Sequence, residues 1–240
     1  MLTARFFVPE EYIARAAEAF TIPAGPLHRQ ITTVLRMKVG DPIALLPNDG
    51  TEIDGRITDI SRSAITGVIA GSSVPDPLLP EVTVCAALLK RENFELVLQK
   101  CTELGANAFI PLLTDRTIKK LSATPDRWRA IVREASEQCG RVRLPAIHDP
   151  MPFANAIGHT DGMRRIVLHE GDGETLEKVL GGATAPRQSA LAIFIGPEGG
   201  FTDHELAVAR DAKSHIVRLG KTVLRAETAA IAGLTLVRCR

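Results

Sequence analysis

Much that would announce a function is missing from this chain. No G-x-G-x-x-G follows a strand-like run, and no G-x-x-x-x-G-K-[ST] or G-x-S-x-G occurs. A dinucleotide-dependent oxidoreductase, a P-loop NTPase and a serine hydrolase all lose ground. The four cysteines, Cys85, Cys101, Cys139 and Cys239, form no C-x-x-C pair, and no histidine stands beside them at zinc-ligand spacing. They read as reduced core thiols of a cytoplasmic protein, and no metal is expected. No apolar run nears the roughly 18 residues a membrane span needs, and the first residues lack a long apolar stretch, so neither membrane insertion nor secretion is expected. The net charge is only +1, so any nucleic-acid surface must be a local patch.

What is present is globular: 240 residues, 45% hydrophobic and 24% charged. Residues 1–72 read as β-rich, with strand-prone runs at 5–8, 31–35, 43–46, 52–60 and 64–69, and one helical stretch over 10–20. Asn48-Asp49-Gly50 makes a hairpin turn, because Asp-Gly tolerates positive φ. Five short strands suggest a small barrel. The run Gly71 to Pro80 concentrates Gly, Ser and Pro and reads as a linker. Residues 73–240 then alternate: strands at 82–88, 109–113, 166–169, 191–195 and 216–219, and helices at 92–104, 126–139, 174–180 and 226–237. Thr202 to Glu205 is a capping box opening another helix. Such alternation predicts an α/β domain with a mostly parallel sheet.

Chemistry in an open α/β sheet collects where strands end. Ile195-Gly196-Pro197-Glu198-Gly199-Gly200-Phe201 leaves a buried strand and enters the capped helix. Its glycines let bare backbone approach a ligand, and Glu198 is the one carboxylate in the turn. Leu168 to Gly173 leaves a second strand, and Leu219 to Ala230 a third. Arg225 is a cation at a helix start, where the dipole disfavours it. The plain alternatives are a tight turn with a solvated Glu198, and an ion pair of Arg225 with Glu227 or Glu198.

These residues resemble a known family, the ribosomal RNA small subunit methyltransferases E, which belong to the knotted SPOUT methyltransferases. The likeness rests on Arg5 to Val8, on His28 with Val34-Leu35-Arg36 and Gly40-Asp41, and on Leu98 to Gly105. It continues through Glu134 to Arg141, Gly196 to Phe201 and Leu224 to Ala229, in this order over nearly the whole chain. The resemblance implies an N-terminal PUA-like β-barrel (1–72) and a C-terminal SPOUT α/β domain with a deep trefoil knot (73–240). It also implies a homodimer. The implied activity is methylation of N3 of a uridine in the 16S rRNA of the small ribosomal subunit, with S-adenosyl-L-methionine as methyl donor. The implied pocket is lined by Leu168, His169 and Glu170; by Ile195, Gly196, Pro197, Glu198, Gly199 and Gly200; and by Leu219, Gly220, Val223, Leu224, Arg225, Glu227, Thr228 and Ala229.

Arg225, Glu198 and Glu227 are the candidates for catalysis: an in-line methyl transfer chiefly needs positioning, and a fixed cation would stabilise charge developing on the uracil oxygens. Arg5, His28, Arg36, Lys90, Arg91, Arg116 and Arg141 are the candidate RNA contacts. Two other readings are a non-catalytic RNA-binding ribosome-assembly factor and a SPOUT methyltransferase acting on transfer RNA.

Overall fold

The computed structural model describes residues 3–117, 121–181 and 190–239. The chain divides into two compact units, Met1–Pro77 with Ser136–Leu144, and Leu78–Ala135 with Pro145–Arg240. The first unit thus gains a late segment that the alternation of elements assigned to the second half.

In the first unit six strands, β1 (Ala4–Phe7), β2 (Ile13–Ala14), β3 (Ala19–Pro23), β4 (Pro42–Leu46), β5 (Glu52–Ile60) and β6 (Ala64–Ser73), pair in the order β1-β4-β5-β6-β3-β2. Only β1–β4 is parallel. The core is Phe6, Phe20, Ile22, Ile31, Ile43, Leu45, Ile53, Ile57 and Ile65, almost without solvent contact. A Cβ on Gly67 would meet the Phe20 ring, so the ring occupies space that glycine leaves open. Hydrogen bonds tie the 136–144 segment to this unit. Glu137 Oε1 accepts from the Phe7 amide at 3.0 Å, and the Leu144 amide donates to Asn48 Oδ1 at 2.7 Å.

Two expectations fail in this unit. Residues 10–20 are not one helix: two 3-10 turns, Glu10–Tyr12 and Arg15–Ala17, flank β2, and Ile13 pairs with Phe20 across a hairpin. The seven-residue spacing of those two apolar residues, which suits a helix face, also suits two strands folded back through left-handed Glu18. Residues 31–35 are not a strand. Pro26 opens a short helix α1 (Pro26–Arg29) that widens into a π turn over Gln30–Val34. Proline at a helix start overrides the strand preference of Ile31 and Val34.

In the second unit every pairing is parallel. Along the chain its elements are β7 (Val82–Ala87), α2 (Arg91–Glu103), β8 (Ala108–Leu113), α3 (Asp126–Cys139, of which the residues from Ser136 on count with the first unit), β9 (Ala146–Ile147), β10 (Met151–Pro152), α4 (Phe153–His159), β11 (Arg164–Leu168), β12 (Glu174–Thr175), α5 (Leu176–Leu180), β13 (Leu191–Ile195), α6 (Asp203–Asp211), β14 (His215–Arg218) and α7 (Ala226–Arg238). The sheet order is β10-β8-β7-β13-β11-β14-β12, with β9 beside β8. The central strands β7 and β13 are buried at every position, as strands covered on both faces must be. One core packs α2 and α7 against the sheet, and a second packs α4 and α6. Two of the four cysteines correct the reading as core thiols: Cys85 and Cys101 are buried, but Cys139 and Cys239 are exposed. Burial alone raises the Cys101 thiol to about 12. No described helix is long and apolar enough to cross a membrane.

Candidate active site

Three strand ends meet in one place. The segments leaving β11, β13 and β14 surround a cleft of about 550 Å³, within the range of sites that hold drug-sized ligands. Parallel neighbours β11, β13 and β14 all point their C-terminal ends the same way, so loops distant in sequence converge.

The loop after β13 is the most ordered wall. Gly200 is left-handed (φ +69), and its amide closes a turn onto the Pro197 carbonyl at 2.9 Å. A Cβ on Gly196 would lie 3.3 Å from both the Gly200 carbonyl carbon and the Phe201 ring, so this part of the turn has room for little but backbone. Phe201 is buried and packs on Phe153, ring centres 5.0 Å apart. Thr202 then caps α6 in a reciprocal box with Glu205. Buried Glu205 spends both oxygens, accepting from the Asp115 amide (3.1 Å) and the Thr202 amide (2.8 Å).

The third loop is different. Val223 is 70% exposed. Arg225 is the N-cap of α7 but makes no capping hydrogen bond, and among the described residues it has no ion pair. The expected alternative, a pair with Glu227 or Glu198, is not formed; those two carboxylates also line the cleft. The site therefore holds an uncommitted guanidinium facing the same cavity as several carboxylates.

Of the residues anticipated for the pocket, Leu168, His169, Glu170, Ile195, Gly196, Pro197, Glu198 and Gly200 line the cleft, as do Leu219, Val223, Leu224, Arg225, Glu227 and Ala229. Gly199, Gly220 and Thr228 do not line it. Gly199 turns outward, where a Cβ would touch the Arg116 side chain at 3.2 Å. Lys90, Asn93, Phe201, Arg218, Thr222 and Ala226 line the cleft without having been anticipated as cofactor contacts. Lys90 and Asn93 belong to a fourth strand end, that of β7. Lys90 had been expected there as an RNA contact, and the cleft places it among the cofactor-site residues as well. The others lie inside or beside the selected loops.

The candidate RNA contacts scatter. Arg5 pairs with Glu52 at 3.1 Å, Arg91 with Glu95 at 3.0 Å, and Arg116 donates to the Gly199 carbonyl at 2.5 Å. The His28 ring contacts the Ser61 carbonyl at 2.9 Å. Arg141 is half-buried, and loss of solvent lowers its guanidinium pKa. Arg36 is exposed in a left-handed conformation, and Lys90 stands at the cleft.

The lining suits an adenosyl sulfonium. Leu168, Ile195, Leu219 and Leu224 offer apolar surface, and Glu170, Glu198 and Glu227 bring negative charge toward a cation. No group of three or more metal-ligating side chains occurs among the described residues.

The comparisons agree with this architecture. The model of an RNA methyltransferase domain matches residues 76–238, and that of an RNA methyltransferase PUA domain matches residues 31–70. The ribosomal RNA small subunit methyltransferase E of Synechocystis is 35% identical, over 96% of this chain and 75% of that protein. That of Mycobacterium tuberculosis is 34% identical, over 84% and 79%. A Legionella pneumophila methyltransferase solved with bound S-adenosylmethionine superposes with a TM-score of 0.85 at 27% identity, covering 100% of this chain and 98% of the other. A structure from Neisseria gonorrhoeae shares the fold, with a TM-score of 0.87 at 24% identity over 99% and 98%. On the sequence match to these relatives, the chain belongs to the ribosomal RNA small subunit methyltransferase E family.

Proposed function

We propose that this protein methylates N3 of a uridine in 16S rRNA of the small ribosomal subunit, with S-adenosyl-L-methionine as donor and no metal. The observation that carries the reading is the cleft itself: three glycine-bearing strand ends around an uncommitted Arg225, in a chain of this family. The donor, when bound, supplies an electrophilic methyl group on a sulfonium. Residues 168–170, 195–201 and 218–229 bind and orient it and keep water from the reacting atoms. Arg225 faces the uracil oxygens and stabilises the negative charge they gain as N3 becomes nucleophilic. Glu198 and Glu227 orient Arg225 or balance the sulfonium charge.

The same reading gives the first unit the role of a PUA-like barrel that holds RNA, supported by its six-stranded sheet and the PUA match. Arg36 in this unit and Lys90 in the second are the best-placed RNA contacts, since neither is spent on an internal carboxylate among the described residues. The second unit is proposed to carry the trefoil knot. In support, α7 runs close under two of the site loops: a Cβ on Gly233 would lie 2.9 Å from Leu168 and 3.7 Å from Leu219. A homodimer is proposed through the outer face of α7, which leaves Leu236 50% exposed beside half-buried Ile231 and Ala232. The protein is proposed to work in the cytoplasm, where small subunits mature.

The test is nucleoside mass spectrometry of rRNA from a deletion strain, with and without the restored gene, beside calorimetry with S-adenosylmethionine. Loss of a 3-methyluridine restored by the gene is expected. An unchanged rRNA profile together with no cofactor binding would overturn the reading in favour of an assembly factor.

A further inference from the structure

The loop after β13 is held from behind by a segment outside the cleft. Residues 114–117 form a closed turn: the Thr117 amide donates to the Thr114 carbonyl at 3.1 Å, and the Thr114 amide to Thr117 Oγ1 at 3.1 Å. That turn presents two consecutive side chains to the glycine loop. Arg116 Nη1 donates to the Gly199 carbonyl at 2.5 Å, and Asp115 Oδ2 accepts from the Thr202 hydroxyl at 3.0 Å. The Asp115 amide completes the contact by donating to buried Glu205.

Gly199 and Gly200 are adjacent, so backbone sterics do little to fix the peptide between them. Its N–H side is held by the turn bond from the Gly200 amide to the Pro197 carbonyl, and Arg116 holds its other side, the Gly199 carbonyl. Without Arg116 a single hydrogen bond would remain to set the orientation of this peptide. Its guanidinium pairs with no carboxylate among the described residues, and its recorded side-chain hydrogen bond is this one. Gly200 lines the cleft while Gly199, whose carbonyl meets Arg116, does not.

We infer that Arg116, with Asp115 beside it, is a positioning residue that sets the cofactor loop in its binding conformation, and that it acts through the Gly199 carbonyl and not through RNA phosphate. The inference rests on the proposed cofactor function of the cleft. Affinity for a ligand falls in proportion to the fraction of protein in the competent conformation. If releasing the peptide leaves about a tenth of the loops competent, the cofactor Kd rises about tenfold.

The experiment uses the full chain and its Arg116→Ala and Arg116→Lys variants. Three quantities are measured: S-adenosylmethionine Kd by calorimetry, Kd for small-subunit RNA against salt, and amide exchange at Gly200. The inference expects Arg116→Ala to weaken cofactor binding about tenfold, to quicken Gly200 exchange, and to leave the RNA salt slope unchanged. Arg116→Lys should recover much of the cofactor affinity, since one donor suffices for one carbonyl. Cofactor affinity within twofold of wild type, with an RNA salt slope lowered by about one, would overturn it and make Arg116 a phosphate contact. Wild-type protein that binds no cofactor would sink the proposed function. Exchange at Gly200 would still judge the latch, because it needs no ligand: unchanged exchange in Arg116→Ala overturns it.

Discussion

Two loops of the same cleft are built on opposite plans. The loop after β13 is braced along its length: an internal turn at Gly200, an Arg116 donor at Gly199, a buried ring at Phe201 and a capping box at Thr202. The loop after β14 is nearly bare. Among the described residues its backbone takes one side-chain hydrogen bond, from Arg218 to the Lys221 carbonyl at 3.1 Å, and it ends on an uncapped helix at Arg225. A wall that must present fixed backbone to a ligand gains from pre-organisation, because ordering it at the moment of binding would cost affinity. A cation that must meet charge appearing on a second substrate gains from having no internal partner that would compete.

The largest effect should separate the two plans by kinetics. Arg225→Ala is expected to lower single-turnover methylation about a hundred- to a thousandfold, roughly 3–4 kcal/mol of transition-state stabilisation, while cofactor Kd by calorimetry stays within a few fold. Arg225→Lys should recover only part, lacking the two-pronged donor geometry. Equal losses in rate and cofactor affinity would make Arg225 part of the braced wall, and the contrast would collapse.

Next comes the brace itself. Glu205→Ala leaves the Asp115 and Thr202 amides without their acceptor. Both amides are only part-buried, so the loss should not exceed roughly 1–3 kcal/mol, to be read from urea unfolding midpoints. A midpoint unmoved from wild type would mean that water replaces the carboxylate and that the loop is not braced there. Gly200→Val forces a branched side chain into the left-handed region at φ +69, a strain of about 1–3 kcal/mol that the loop can relieve only by losing its turn. Weakened cofactor binding is expected along with lower stability, and a variant with wild-type affinity would show that this turn is not needed for the ligand.

The smallest effect belongs to the bare loop. Val223→Ala, at a side chain 70% exposed, should change stability by no more than about 0.5 kcal/mol in thermal unfolding. A larger loss would reveal packing on the second loop that its hydrogen bonds do not disclose.

The fold is most legible in the sequence where one residue type has one use. The capping box, the glycine run after a buried strand and the hairpin turn at Asn48 to Gly50 are of this kind, because positive φ and orphan amides admit few side chains. The fold is least legible where a pattern has two solutions. Ile13 and Phe20 meet across a hairpin, not along a helix; Ile31 is the buried residue of a π turn, not of a strand; and the short helix α4, with Phe153 buried against Phe201, carried no periodicity long enough to announce it.

By itself, the sequence determined the α/β rhythm of the second half, the three strand ends that carry glycine and carboxylate, and the family to which they belong. Those are local properties of backbone freedom and side-chain chemistry, and neighbours in sequence suffice to state them. Only the tertiary structure decided how each charge is used. Arg5, Arg91 and Arg116 look alike in sequence to Arg225, yet three of them face an internal acceptor and one faces the cleft. A guanidinium's partners lie within hydrogen-bond reach in space and can be far away along the chain: Glu52 is 47 residues from Arg5, and Gly199 is 83 from Arg116. Which donors are spent and which remain for substrate is therefore settled by folding.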